Sequence, residues 1–237
     1  MKGVVLAGGT GSRLFPLTKV TNKHLLPVGK HPMLIHPIFK LRDAGINEIL
    51  IVTGTEHVGD IVGLLGSGRD LGCQFTYRVQ EEAGGIAQAL SLAENFAGGK
   101  PLCVLLGDNI FQDPITAEVR RFREQPTGAH ILVKEVPDPH RYGVACIDGD
   151  RITEILEKPK NPPSPLAVTG IYFYDAHVFD IIRRQKRSSR GELEITDVNN
   201  DYIHRGLMTF GQIEGWWTDA GTFPSYHYAN QLVMGVE

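Results

Sequence analysis

Apolar residues along this chain follow two alternating rhythms. Short, nearly unbroken apolar runs occur at Gly3-Val4-Val5-Leu6-Ala7, Glu48-Ile49-Leu50-Ile51-Val52, Gln74-Phe75-Thr76-Tyr77-Arg78-Val79 and Leu102-Cys103-Val104-Leu105-Leu106. Runs without a polar face predict strands buried on both sides, the pattern of parallel sheets. Between them Leu34, Ile38, Leu41 and Ala44 recur at three- and four-residue spacing, as do Ile86, Ala89, Leu90, Ala93 and Phe96, and both sets predict helices. Gly45 ends the first, and Pro37 inside it predicts a kink or a late start. From about Gly128 the rhythm changes. Ile131 to Val136, Gly143 to Ile147, Ile152 to Leu156 and Ala167 to Tyr174 are strand-like with no full helix between them, and Asn161-Pro162-Pro163-Ser164-Pro165 is a proline-rich loop.

The expected fold class is α/β: a Rossmann-like, mixed and mostly parallel sheet sandwiched by helices, with ligands at the C-terminal ends of the strands. A β-rich extension after Gly128 is expected to wall one side of the cleft. With 42% hydrophobic and 22% charged residues in a chain of 237, one substantial core is expected. No apolar run approaches the ~20 residues of a membrane helix, and Met1-Lys2-Gly3 leads straight into a strand without a signal-peptide pattern. No membrane role and a cytoplasmic location are therefore expected. A net charge of −3 supplies no general positive field, so nucleic acid is not an expected partner. The basic cluster Arg183-Arg184-Gln185-Lys186-Arg187 reads as a solvated helix end. Cys73, Cys103 and Cys146 are far apart and odd in number, which points to small packed residues rather than to a disulfide framework or a zinc site.

The first strand runs into Leu6-Ala7-Gly8-Gly9-Thr10-Gly11-Ser12-Arg13-Leu14, where glycines let backbone N–H groups close around phosphate oxygens and the arginine adds a fork of donors. A Walker loop would need Gly-Lys-Ser/Thr where Arg13-Leu14 stands. A dinucleotide fingerprint would need a third glycine at Leu14 and an acidic residue where Thr53-Gly54 follows the second strand. Both fail. Asp108 follows the run Leu102 to Leu106, and Asp219 precedes Ala220-Gly221-Thr222. Each is a hard oxygen donor of the kind Mg²⁺ takes, and each also suits a turn or a helix cap. In Ile152-Thr153-Glu154-Ile155-Leu156-Glu157-Lys158 neither strand face is cleanly apolar, which fits either a functional face or a solvated edge strand.

The run Leu6 to Thr18, followed by Lys23-His24-Leu25-Leu26-Pro27-Val28, resembles the signature of the sugar nucleotidyltransferases. Further blocks resemble that family in order: Gly84-Gly85-Ile86-Ala87-Gln88-Ala89, Leu106-Gly107-Asp108-Asn109, Arg141-Tyr142-Gly143-Val144, Glu157-Lys158-Pro159, Ala167 to Tyr172, Arg190 to Asp197 and Trp217 to Thr222. Together they look most like the glucose-1-phosphate thymidylyltransferases, in a short form. The resemblance implies transfer of a nucleotidyl group from dTTP to glucose 1-phosphate, giving dTDP-glucose and pyrophosphate with Mg²⁺ as cofactor. It also implies a single domain over 1–237: 1–127 mainly nucleotide-binding, 128–222 mainly sugar-binding, and 223–237 a terminal helix.

By the same resemblance Arg13, Lys23 and Lys158 are the catalytic cations, the first two on the triphosphate and Lys158 on the sugar phosphate. Leu6, Gly8, Gly9, Thr10, Gly11, Ser12, Gln80 and Gly85 bind the nucleotide, and Gln80 and the Gly85 backbone read the base. Asn109, Gly143, Glu157, Val168 and Arg190 bind the sugar phosphate, and Asp108 and Asp219 hold the metal. Tyr142, Tyr172 and Trp217 suit core packing or a ligand contact. The chain departs from the family at His24, where many thymidylyltransferases carry glutamine, and in Gln80-Glu81-Glu82-Ala83. It also reaches Glu237 without the helices that in longer relatives build a regulatory nucleotide site, so control by end product is expected at the active site or not at all. Tyr226, Tyr228, Leu232, Val233 and Met234 can pack on the core or on a second copy, which leaves a homo-oligomer open. The alternatives are a uridylyltransferase for the same sugar phosphate, since one methyl discriminates by only ~1–3 kcal/mol, and a catalytically silent nucleotide-sugar sensor. A nicotinamide oxidoreductase is disfavoured by Leu14 and Thr53.

Overall fold

The computed structural model describes residues 1–124 and 127–235, and Glu237, where the expected terminal segment ends, lies outside them. The fold class is α/β, a mixed and mostly parallel sheet with flanking helices and additional antiparallel strands. The chain divides into two compact units. One comprises Lys2–Ala83, Leu105–Thr116 and the segment from Gly215 onward; the other comprises Gly84–Val104 and Ala117–Glu214. The chain passes between them within the strand Leu102–Leu106.

In the first unit the strands Lys2–Ala7, Glu48–Gly54 and Gln74–Gln80 pair in parallel, Val5 opposite Ile51 and Ile51 opposite Tyr77. The first two are buried almost throughout, which is why they read as unbroken apolar runs. The third ends the strand order and is mostly half-exposed, so Gln74, Thr76 and Arg78 are tolerated there. The helix Ile35–Asp43 starts late enough that Pro37 falls in its first turn, where the missing N–H has no partner to lose. A short antiparallel pair, Asn109–Phe111 with Trp217–Asp219, sets Asp219 opposite Asn109. The helix Phe223–Met234 follows, begun by a capping box between Thr222 and Ser225.

The second unit is built on Leu166–Tyr174, buried along nearly its whole length and antiparallel to Ala129–Glu135 and Gly143–Asp148. Met208–Gln212 lies parallel to Ala129–Glu135, and Arg151–Glu157 pairs with Gly143–Asp148. The register of that last pair shifts between Ile152 and Glu154, so Ile152 and Ile155 are both buried although three positions apart. A bulge of this kind erases the two-residue alternation and explains why neither face of the segment looked apolar. The pattern from Ile86 to Phe96 is not one helix but two, Ile86–Ser91 and Glu94–Ala97. Between them Leu92 and Ala93 donate to carbonyls only three residues back, at Ala89 and Leu90, which tightens the turn and breaks the α ladder. Arg183 and Arg184 close the helix Val178–Arg184, exposed, with Arg183 paired to Glu94 and Asp180. Cys73 and Cys103 are buried and Cys146 is half-buried, all as free thiols. Among the described residues no helix is long and apolar enough to cross a membrane.

Candidate active site

In the first unit the strand Lys2–Ala7 opens into the glycine loop. Leu6 is buried, and its carbonyl accepts from the Gly107 N–H at 2.8 Å. A Cβ on Gly8 would lie 2.6 Å from Gln80 Oε1, so the Gln80 amide, buried at the end of its strand, can approach the loop only because Gly8 has no side chain. Gly9 and Gly11 have φ of 96° and 63°, the left-handed region that glycine enters without strain. The Thr18 hydroxyl donates to the Gly11 carbonyl at 2.8 Å and braces the loop. Ser12–Leu14 is a single 3-10 turn with Leu14 buried and Arg13 exposed. A cleft at the C-terminal ends of these strands is lined by Gly9, Thr10, Thr18, Thr21, Asn22, Gly54, Thr55, Glu56, His57, Gln80, Glu81 and Ala83.

The same unit carries an acidic corner. Lys23 Nζ sits 2.5 Å from Asp108 Oδ2, with the two side chains only 12% and 13% exposed. Asn109 Nδ2 donates to Asp108 Oδ1 at 3.1 Å, and Asn109 Oδ1 accepts from Trp217 Nε1 at 2.7 Å. Burial alone would push the Asp108 carboxyl up, but Lys23 beside it and the hydrogen bonds from Lys23 and Asn109 hold it well below the usual carboxylate range. His24, by contrast, is driven down to about 3 by burial and by Lys23, against the pull of Asp108, so its ring is neutral at physiological pH. A Cβ on Gly221 would lie 3.3 Å from Arg13 Nη2, 3.3 Å from Asp219 Oδ2 and 3.4 Å from Asp108 Oδ2. Two carboxylates and a guanidinium therefore converge on a small volume left open by a glycine. Among the described residues no group of three or more His, Cys, Asp or Glu side chains could hold a metal by itself. Two hard carboxylates do suit an ion such as Mg²⁺, which takes most of its shell from phosphate and water oxygens.

A second cluster lies in the second unit. Glu157 ends the bulged strand; its Oε2 accepts from the Thr196 hydroxyl at 2.6 Å and its Oε1 from Arg190 Nη2 at 2.9 Å. Arg190 also forks onto Glu194 at 3.1 and 2.8 Å and lies 3.8 Å from Glu192. Lys158 Nζ is 3.5 Å from Glu157, and its backbone is left-handed at φ 44°, held by its N–H donating to the Tyr142 carbonyl. A non-glycine residue there is strained, which is commoner at functional positions than elsewhere. A Cβ on Gly143 would lie 3.4 Å from Thr196 Oγ1 and 3.8 Å from Glu157 Oε2. Val168 is buried at the start of a register shift against Ala129–Glu135. Gly85, grouped with Gln80 in the sequence, lies in this other unit, where a Cβ would meet the Leu193 carbonyl at 2.5 Å. Tyr172 stacks on Tyr174 in the core.

Residues 2–234 match the Nucleotidyl transferase family. The chain belongs to that family. It is similar to the glucose-1-phosphate thymidylyltransferases of Neisseria meningitidis serogroup A and Xanthomonas campestris pv. campestris, at 41% and 42% identity over all of this chain and 84% and 81% of theirs. It is also similar to a Bacillus anthracis protein assigned as a glucose-1-phosphate thymidylyltransferase and crystallised with sucrose. There the identity is 56% and the TM-score 0.96, over all of this chain and 96% of the other. For a nucleotidyl transferase the sequence reading missed Thr196 and Glu194, which hold Glu157 and Arg190. It also missed Asn22, whose side chain caps the Lys23–Leu25 turn. An asparagine directly before a short turn is a capping signal legible in sequence; the Thr196 contact joins positions 39 apart and carries no local signal.

Proposed function

We propose that this nucleotidyltransferase moves a thymidylyl group from dTTP to glucose 1-phosphate, giving dTDP-glucose and pyrophosphate. The observation that carries the reading is the corner where Arg13, Asp108 and Asp219 converge beside Gly221 with Lys23 on Asp108. The nucleophile is a phosphomonoester oxygen with a second pKa of about 6, so it is ionised already and needs no general base. What the reaction needs is for two polyanions to be brought in line and their charge offset, and a corner of cations and hard carboxylates can do that. The names of the relatives support the choice of dTTP and glucose 1-phosphate.

In this reading Gly8 to Ser12 cradle the triphosphate with backbone N–H groups, and Arg13 and Lys23 stabilise the departing pyrophosphate. Gln80 reads the pyrimidine edge, helped by Leu6 in the same unit. Lys158 and Arg190 grip the sugar phosphate, while Gly143, Glu157 and Val168 of the same unit shape the sugar pocket. Asp108 and Asp219 would hold Mg²⁺, which when bound offsets charge developing on the phosphates. Residues 1–127 would serve mainly the nucleotide and 128–222 mainly the sugar, in a cytoplasmic enzyme.

The test crosses dTTP, UTP, CTP, ATP and GTP with several sugar 1-phosphates and follows pyrophosphate release in the presence of Mg²⁺. Release should require both substrates and be fastest for dTTP with glucose 1-phosphate. dTTP should lead UTP by no more than ~10–200-fold, the reach of a single methyl. A higher kcat/KM for UTP would make the chain a uridylyltransferase. Nucleotide binding without release for any pair would make it a sensor.

A further inference from the structure

We propose that Asn22 and His24 form a positioning clamp that sets the Lys23 ammonium against the Asp108 carboxylate, with Asn22 at the edge of the cleft and His24 buried behind it; the reaction it serves rests on the function proposed above. Lys23–Leu25 is one 3-10 turn of three residues, too short to hold its own shape. Its cap, Asn22, is buried, and a single oxygen, Asn22 Oδ1, accepts both the His24 backbone N–H at 2.9 Å and His24 Nδ1 at 2.8 Å. An amide oxygen only accepts, so this hydrogen-bond pattern assigns the ring proton to Nδ1 and leaves Nε2 bare. The far edge of the same ring presses on Gly107: a Cβ there would lie 2.7 Å from His24 Cδ2 and 3.0 Å from His24 Nε2.

His24 follows Lys23, and Gly107 precedes Asp108. The imidazole is thus a spacer between two backbone segments whose adjoining residues make the 2.5 Å ion pair. Each segment is anchored behind the ring, since the His24 carbonyl accepts from Leu34 N–H at 3.0 Å and the Gly107 N–H donates to the Leu6 carbonyl at 2.8 Å. At 1% exposure His24 offers no surface to a ligand, so its influence on the reaction must pass through Lys23 and Asp108.

The clamp is tested in the full chain with Asn22→Ala, which deletes both accepted bonds, and Asn22→Asp, which keeps an oxygen for each. One readout is steady-state kinetics with dTTP and glucose 1-phosphate. The other is the rate at which trinitrobenzenesulfonate modifies Lys23, followed by peptide mass spectrometry at temperatures where each variant is folded. Asn22→Ala should lower kcat about 10–100-fold, the usual cost of removing a group that orients a functional one, and should speed Lys23 modification several-fold. KM for both substrates should stay within about threefold, because the loss falls on geometry rather than on binding. Asn22→Asp should restore both readouts. If Asn22→Ala does not fold, Asn22→Ser, which keeps the backbone cap but reaches the ring poorly, is read by the same criteria. Unchanged Lys23 modification overturns the clamp, as does a kcat loss that Asn22→Asp fails to restore. If the wild-type chain turns over no substrate pair, the functional reading fails separately and the modification rate alone decides the clamp.

Discussion

The two clusters of charge are built differently. The Lys23–Asp108 pair is nearly dry at 12% and 13% side-chain exposure, while Arg190 and Glu157 stand at 39% and 29%. In the first, each partner depends on the other, because removing one from a buried pair leaves an uncompensated charge and typically costs about 3–5 kcal/mol. In the second, one half-exposed arginine is shared among Glu157, Glu192 and Glu194; the pairs to Glu157 and Glu192 lie in a wetter setting, where a single pair contributes about 0–1 kcal/mol, while Glu194 at 11% is as dry as Asp108. The excess of negative charge there shows at Asp197, whose carboxyl is pushed up by burial and by Glu194 and Glu157. Under the proposed function the contrast is a division of labour: a fixed corner suits phosphate chemistry that demands geometry, and a half-exposed arginine shared among three carboxylates suits capture of an incoming phosphate.

Breaking the dry corner should have the largest effect. Asp108→Asn should cut kcat at saturating substrate by about 10²–10³-fold or more, since it removes the carboxylate proposed to hold the metal and leaves Lys23 buried without its counter-charge. The melting temperature should fall as well. Near-normal kcat with unchanged metal dependence would take Asp108 out of the chemistry.

A second effect of that corner is on stability against pH. His24 is held at about 3 in the fold from an ordinary value of 6.5, so below pH 6.5 the unfolded chain takes up a proton that the folded chain refuses. Its contribution is complete above 6.5 and is lost as pH falls toward 3, with a slope of at most about 1.4 kcal/mol per pH unit. Denaturant titrations between pH 7.5 and 4.5 should show this limb in the wild type and a flatter one in His24→Asn. Equal slopes would mean that another group sets it.

The looser cluster should respond less. Arg190→Ala should raise KM for glucose 1-phosphate about tenfold while costing less stability than Asp108→Asn, because the arginine itself is half-exposed and only Glu194 among its partners is dry. A stability loss like that of Asp108→Asn would erase the contrast. Thr196→Val removes the 2.6 Å bond to Glu157 and should raise the same KM by only about two- to fivefold, at the low end of the about 0.5–1.5 kcal/mol that one hydrogen bond contributes net, because it acts on the sugar phosphate through Glu157.

What could be read from the sequence follows from how local each signal is. Lys2–Ala7 and Glu48–Gly54 declare themselves because strands buried on both faces allow no polar position. Arg151–Glu157 hides its faces, because the bulge after Ile152 slips the period. Phe96 falls outside the first of two short helices because the turn at Leu92-Ala93 tightens, and residue spacing does not encode that. The cluster of glycines after the first strand was legible as a loop with left-handed positions, which Gly9 and Gly11 occupy. The reasons for particular glycines were not: Gly107 is crowded by a histidine 83 positions earlier in the chain, and Gly221 is approached closely by side chains from three separate segments.

The central claim is that the dry corner serves attack at the α-phosphorus of a nucleoside triphosphate, and following the label tests it most directly. With dTTP carrying ³²P at the α-position and unlabelled glucose 1-phosphate, the label should appear in dTDP-glucose at the rate pyrophosphate is released. With ³²P at the γ-position, all of the label should leave in pyrophosphate. Label from the γ-position in a sugar product, or α-label recovered only as dTTP while glucose 1-phosphate is present, would contradict the account.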